Sequence, residues 1–338
     1  MSRRSTVLLL SQLNVAKVLN VFALGASFCL SRILRRAYHA GAPMSISIEP
    51  TTSCNLRCPE CPSGLRAFTR PTGMLTLPAF QKILQSQNKA LAAITFYFQG
   101  EPFLNPELLT MVREASIRKI FTTTSTNGHY LHDQAARAIV ESGLHRLIVS
   151  VDGTTQEVYS QYRIGGSLEK VLEGIRKVLK WKTETKSSFP EVILQFIVFK
   201  QNEHQIDEVL KLGNDLGVEE VRLKTAQVYD YEKGNQLIPE NEKYARYLKT
   251  SQGSWKLKNR MSNHCWRMWQ GCVFTWDGKV LPCCFDKDAD NQLGSIEELS
   301  FKKIWKGKAY RNFRQAILSG RDQIEICKNC TEGGKVWI

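Results

Sequence analysis

Acidic residues are the scarce class in this chain: 32 Asp and Glu stand against 46 Lys and Arg, a net charge of +14, and none precedes Glu49. That excess suits an anionic partner, whether a membrane surface, a nucleic acid or an acidic peptide, and charge alone does not choose among them. Cysteine is too sparse for a disulfide scaffold, at ten in 338 residues. Apart from Cys29, these cysteines fall in two groups, which points to metal binding in a reducing compartment. No uninterrupted apolar run approaches the roughly 20 residues that span a bilayer. Internal repeats and low-complexity segments are absent as well. What remains, 43% hydrophobic and 9% aromatic, is the composition of an ordinary folded protein, long enough for one large domain and a smaller one.

Arg3 and Arg4 followed by apolar residues resemble the start of a signal peptide, but Asn14, Lys17 and Asn20 interrupt the stretch. Val15, Leu19, Phe22, Ala26, Leu30, Ile33 and Ala37 recur at helical spacing, with Asn14, Lys17, Ser27, Ser31 and Arg35 elsewhere on the wheel. Residues 6–38 therefore read as an amphipathic helix within an N-terminal segment, 1–40. Its apolar face has two destinations. It can pack against the protein's own barrel, or lie on anionic lipid, which the six Lys and Arg of the segment 1–40 would favour.

Strand-like runs follow at "MSISIEP", 92–98, 120–125, 145–151, 191–199 and 219–226. Between them the pattern predicts helices over Leu77 to Asn88, Pro106 to Ile117, Asp133 to Ser142, Ser167 to Trp181 and His204 to Leu216, with Gly143 and Gly217 as stops. Six strands alternating with helices imply parallel βαβ units. They favour an α/β fold, a partial (β/α)6 TIM-like barrel over 41–250, with a small α+β cysteine-rich extension over 251–338. A polar helix is expected near Pro239 to Lys249. In such a barrel the chemistry gathers at the C-terminal ends of the strands.

Cys54, Cys58 and Cys61, in "TTSCNLRCPECPSG", lie just after the first strand with no fourth Cys or His close by. Structural zinc normally takes four ligands, whereas a [4Fe–4S] cluster on three thiolates leaves one iron open for chemistry. The pattern resembles that of the radical S-adenosylmethionine (radical SAM) superfamily. The resemblance implies that SAM chelates the open iron and is cleaved reductively to a 5′-deoxyadenosyl radical, which takes hydrogen from a substrate C–H bond. Asn55 and Leu56 match common companions of the motif. "FQGEP" is similar to the family's Gly-Gly-Glu-Pro element, which implies that Gly100 and Glu101 contact the SAM amino group. "STNG" and "SVDG" resemble its short polar elements, implying cofactor contacts for Ser125, Asn127, Ser150 and Asp152, and Arg163 stands where family maturases carry an Arg toward the carboxylate. Strand five lacks a Gly-rich adenine motif, and apolar residues around Ile197 would flank the adenine instead.

The C-terminal cysteines are Cys265, Cys272, Cys283, Cys284, Cys327 and Cys330, and "WDGKVLPCC" reads as a hairpin around Asp277-Gly278. This region is similar to the SPASM or twitch extension of radical SAM enzymes. It lacks the C-x2-C-x5-C run of the full type, and the resemblance implies one auxiliary [4Fe–4S] cluster on Cys265, Cys283, Cys327 and Cys330. A zinc ribbon is the rival there. Cys284 could replace Cys283, while Cys272 reads as a small buried residue and Cys29 as apolar packing in the amphipathic helix.

The expected function is a radical SAM oxidoreductase or maturase acting on a peptide or small molecule. Its expected partner is a reductant such as flavodoxin or ferredoxin, and its expected location is cytoplasmic, with peripheral contact at the inner face of the membrane. A lipid-linked substrate is the alternative, and a non-catalytic iron-sulfur or zinc scaffold comes from another class. Nucleic acid is not expected, because Trp266, Met268 and Trp269 in "HCWRMWQ" read as packing rather than as a base-stacking surface, despite Lys256, Lys258, Arg260 and Arg267 nearby.

Overall fold

The structure is a computed structural model and describes residues 6–7, 12–87, 89–258 and 261–331. Helix α1, Val15–Leu34, opens on Asn14, whose side chain accepts a hydrogen bond from the Lys17 amide. Strand β1, Ser45–Ile48, leads into the cysteine loop and the short helix α2, Pro62–Leu65. Helix α3, Leu77–Ser86, is capped by Thr76 and followed by β2, Ala93–Phe96. Then come α4, Leu108–Ile117; β3, Phe121–Thr126; α5, Asp133–Glu141; and β4, Arg146–Ser150. After β4 come α6, Gln156–Tyr162; α7, Leu168–Glu184; β5, Glu191–Val198; α8, Ile206–Leu216; and β6, Glu220–Thr225.

The six strands pair in sequence order, all parallel, as a partial (β/α)6 barrel. Their outward residues, among them Ile48, Ile94, Phe96, Val149 and Phe196, meet Phe80, Met111, Ile139 and Val171 from the surrounding helices in the main core. Helix α8 stops at Gly217, which adopts a left-handed φ of 75°, where a side chain would be strained.

Three expectations are corrected. Residues 239–249 form turns that end in β7, Tyr247–Lys249, which pairs with β8, Trp255–Leu257, in place of a polar helix. The N-terminal helix runs over Val15–Leu34 and not 6–38; of the earlier stretch, residues 8–11 lie outside the described residues. Its orientation is also the reverse of packing an apolar face on the barrel. Lys17, Asn20, Ser27 and Ser31 are buried, whereas Val15, Leu19, Phe22 and Ile33 are exposed.

The C-terminal part contains α9, Arg267–Gln270; β9, Gly271–Phe274; β10, Lys279–Leu281; and β11, Gly294–Ser295. Three helices close it: α10, Phe301–Trp305; α11, Lys308–Gly320; and α12, Glu325–Lys328. The expected hairpin is present, with β9 and β10 antiparallel. Sequence pattern did not anticipate that β9 also pairs in parallel with β1, making one nine-stranded sheet.

Candidate active site

The loop after β1 brings Cys54, Cys58 and Cys61 to the C-terminal end of the barrel, where all three line a cavity of about 350 Å³. The loop is fixed at several points. The Arg57 amide donates to the Ile164 carbonyl, the Cys61 amide to the Cys58 carbonyl, and the Leu56 amide to the Cys54 Sγ at 3.4 Å. A Cβ on Gly64 would lie 2.6 Å from the Cys58 amide nitrogen, so this turn of α2 closes on the loop only with glycine.

Gly100 follows β2 with φ 72°, and a Cβ there would meet the Thr51 carbonyl oxygen at 2.2 Å. Its amide donates to Ser63 Oγ at 2.9 Å, tying the Gly-Glu element to the cysteine loop. Glu101 is buried, yet it lines the cavity. It accepts from Thr126 Oγ1 and the Asn127 amide, both at 2.7 Å. Burial pushes its carboxyl up to about 7, against the pull of those donors, so its charged form calls for a cation.

Ser125, Asn127 and Ser150 line the same cavity. Asn127 Nδ2 donates to Asn55 Oδ1 at 2.7 Å and reaches Cys54 Sγ at 3.8 Å, joining the third strand to the first loop. Asp152 stands one step behind the wall. Its carboxylate accepts from Arg163 Nε at 2.6 Å and from the Ile197 amide at 2.7 Å. Arg163 itself lines the cavity, with Nη1 3.9 Å from Cys58 Sγ. Burial pushes the Cys58 thiol up to about 11, and the Arg163 charge opposes that rise. Ile197 lines the wall, flanked by Gln195 and Phe199.

Several lining residues escape motif reading: Tyr97, Gln195, Lys224, Arg246, Cys284 and Lys287. Gln195 carried a usable signal, since it interrupts an otherwise apolar strand run. Lys224 gave none, because β6 alternates and Glu220 and Arg222 are charged as well.

The residues fit an iron-sulfur cluster with SAM. Among the described residues no three His, Cys, Asp or Glu converge as a single metal ion would require. Instead, three thiols stand around a cavity that also holds a buried carboxylate and a guanidinium. Those two groups complement the ammonium and carboxylate of an amino acid, while the thiols suit a cluster larger than an ion.

A second set gathers around Arg321, which is 1% exposed. Its Nη2 donates to Cys330 Sγ at 3.1 Å and Nη1 to the His264 carbonyl at 3.0 Å. Burial works against its charge, but Cys265, Cys330 and Cys327 favour the protonated guanidinium. Burial raises the Cys283 thiol well above its ordinary value, and the neighbouring Cys284, then Cys265 and Cys330, raise it further. Three of the four expected residues, Cys265, Cys327 and Cys330, therefore share one buried cation, and Cys283 lies within electrostatic reach of two of them. Cys272 faces the main core on β9, and Cys284 turns to the first cavity, with Arg267 Nη1 3.9 Å from its sulfur.

Comparison with known proteins agrees with this geometry. The radical SAM superfamily matches residues 48–213, and an iron-sulfur cluster-binding domain, SPASM, matches residues 265–331. A Pyrococcus furiosus relative, described as the tungsten-containing aldehyde ferredoxin oxidoreductase cofactor-modifying protein, is 26% identical over 299 residues, covering 79% of this chain and 82% of the relative. Among solved structures, Streptococcus suis SuiB bound to S-adenosylmethionine aligns with a TM-score of 0.62 at 15% identity, over 87% of this chain and 73% of its own. anSMEcpe with bound AdoMet aligns at 0.61 and 17% identity, over 87% and 88%. BtrN in complex with AdoMet and 2-DOIA aligns at 0.51 and 19% identity, over 86% and 93%. At these identities the structures speak for the fold. The sequence matches carry the family, and this chain belongs to the radical SAM superfamily as an enzyme with a SPASM iron-sulfur domain, using a [4Fe–4S] cluster, S-adenosylmethionine and auxiliary iron-sulfur chemistry.

Proposed function

We propose that Cys54, Cys58 and Cys61 hold the SAM-cleaving [4Fe–4S] cluster. Gly100, Glu101, Ser125, Asn127, Ser150 and Arg163 bind SAM beside it, with Asp152 holding Arg163 in place. One observation carries the reading: three thiols, a buried carboxylate and a guanidinium share one cavity at the barrel mouth. When bound, the cluster supplies the electron that cleaves SAM to methionine and a 5′-deoxyadenosyl radical. The protein's share is to neutralise the ammonium with Glu101, orient the carboxylate with Arg163, and flank the adenine with Ile197. Cys265, Cys283, Cys327 and Cys330 would hold one closed auxiliary cluster under the Arg321 charge. The proposed organisation keeps three parts, 1–40, 41–250 and 251–338.

The substrate is a peptide or small molecule with an unactivated C–H bond, and the reductant a flavodoxin- or ferredoxin-type protein in the cytoplasm. A membrane-bound or lipid-linked substrate is the second reading, favoured by the outward apolar stripe of α1.

Dithionite-reduced, reconstituted protein should release 5′-deoxyadenosine from SAM, and Cys58→Ala should release none. Equal cleavage by wild type and variant would remove the assignment of the first cluster. Iron analysis should return about eight irons per chain for two four-iron clusters. About four irons with one zinc would instead favour a zinc ribbon at the second set.

A further inference from the structure

Helix α1 is mounted with its polar side inward, and specific bonds hold it so. Lys17 Nζ donates to the Lys119 carbonyl at 3.0 Å. Asn20 donates to the Ala42 carbonyl and accepts from its amide, at 2.9 and 2.8 Å. Ser31 Oγ makes the same double contact with Tyr38, donating at 2.8 Å and accepting at 2.9 Å. Leu24 is the fully buried apolar anchor on this side, and Phe28 sets its ring edgewise on Trp266 and Trp269, at 5.2 and 5.3 Å. These contacts fix the rotation of the helix.

The opposite side is apolar and open. Val15 is 75% exposed, Leu19 63%, Phe22 71% and Ile33 77%, with Leu30 and Leu34 continuing the stripe. A contiguous stripe of this kind marks an interaction surface. Its ends are cationic: Arg32, Arg35 and Arg36 are exposed at the C-terminal end, and Arg118 and Lys119 beside the N-terminal end. The segment up to Glu49 contains no acidic residue.

We infer that α1 is a docking surface for an anionic phospholipid bilayer, lying in the plane of the interface with its apolar stripe among the acyl chains and its Arg and Lys residues at the headgroups. Two other occupants fit less well. A second copy would bring one cationic rim against another, and like charges repel across such a face. A bilayer-spanning α1 would have to strip Lys17 and Asn20 of their partners on the barrel, the Lys119 and Ala42 carbonyls, and carry a charged group and an amide into hydrocarbon. The inference rests on the mounting of α1 and is independent of the proposed cysteine assignments.

Co-sedimentation of the full, reconstituted chain with vesicles tests it. The chain should pellet with phosphatidylglycerol-containing vesicles and stay in solution with phosphatidylcholine alone, and raised salt should weaken the binding. A Leu19→Gln/Phe22→Gln/Ile33→Gln variant should bind at least about tenfold more weakly, since three apolar anchors are lost. Arg32→Gln/Arg35→Gln/Arg36→Gln should lose most of the preference for anionic lipid. All six positions are exposed, so both variants should keep the fold, and both should release 5′-deoxyadenosine in lipid-free buffer as the wild type does. No pelleting with anionic vesicles, or undiminished pelleting of the apolar variant, overturns the inference. So does retention in the bilayer after alkaline carbonate, which marks a span, or a stable dimer abolished by the apolar variant without vesicle binding, which marks a second copy. Loss of SAM cleavage in the wild type would count against the enzymatic assignments and leave this result unaffected.

Discussion

Cys283 and Cys284 are adjacent in the chain yet differ in their surroundings. They stand at the turn after β10, where both line one small cavity beside β9, but Cys284 alone also lines the first cavity, while Cys283 feels the charges of Cys265 and Cys330. Cys284→Ala should therefore keep the iron content of the reconstituted protein, and Cys283→Ala should lose iron from the second set. Iron analysis of the two variants checks this, and the reverse pattern would make Cys284 the ligand. The doublet shows where sequence legibility ended at this scale. Motifs pointed to Cys54, Glu101 and Arg163, because loops that approach charged cofactors use few residue types. They could not rank two neighbouring thiols, nor separate Asp152, whose carboxylate is spent on Arg163 and the Ile197 amide, from the residues of the wall.

Between elements, the end of β1 is joined to the C-terminal part through Glu49 and Arg70. The guanidinium makes a two-pronged contact with the carboxylate, at 2.6 and 2.9 Å, and both side chains are nearly or fully buried. Arg70 Nε also donates to the Lys287 carbonyl, and the Trp276 amide donates to Glu49, so the pair spans both parts of the molecule. Arg70→Met would leave a buried carboxylate without its counter-charge, at a cost of about 3–5 kcal/mol at neutral pH. Burial already raises the Glu49 carboxyl, with Arg70 opposing it. In the variant the folded state holds the Glu49 proton more tightly than the unfolded chain does. Its destabilisation should then grow as pH rises from below the carboxylate range through the raised value. Thermal melts at low and neutral pH check this, and a pH-independent loss would contradict it. Strand and helix positions in this region were legible because period-two and helical patterns survive in a barrel. The β7–β8 hairpin was not, since a polar stretch of turns has the composition of an exposed helix, and α1 was misjudged because its inward side is paid for by hydrogen bonds rather than apolar area.

For the molecule as a whole, the pairing of β9 with β1 makes the two sequence units one sheet. Calorimetry of the reconstituted protein should show a single cooperative transition, because unfolding the C-terminal part would bare the edge of β1. Two separated transitions would mean that the units melt independently. The same pairing orders events in time. Ser45 pairs with Ala93 on one side and Gly271 on the other, so β1 gains its second neighbour only when β9, far later in the chain, is available. Until then the cysteine loop follows a strand bonded on one side only.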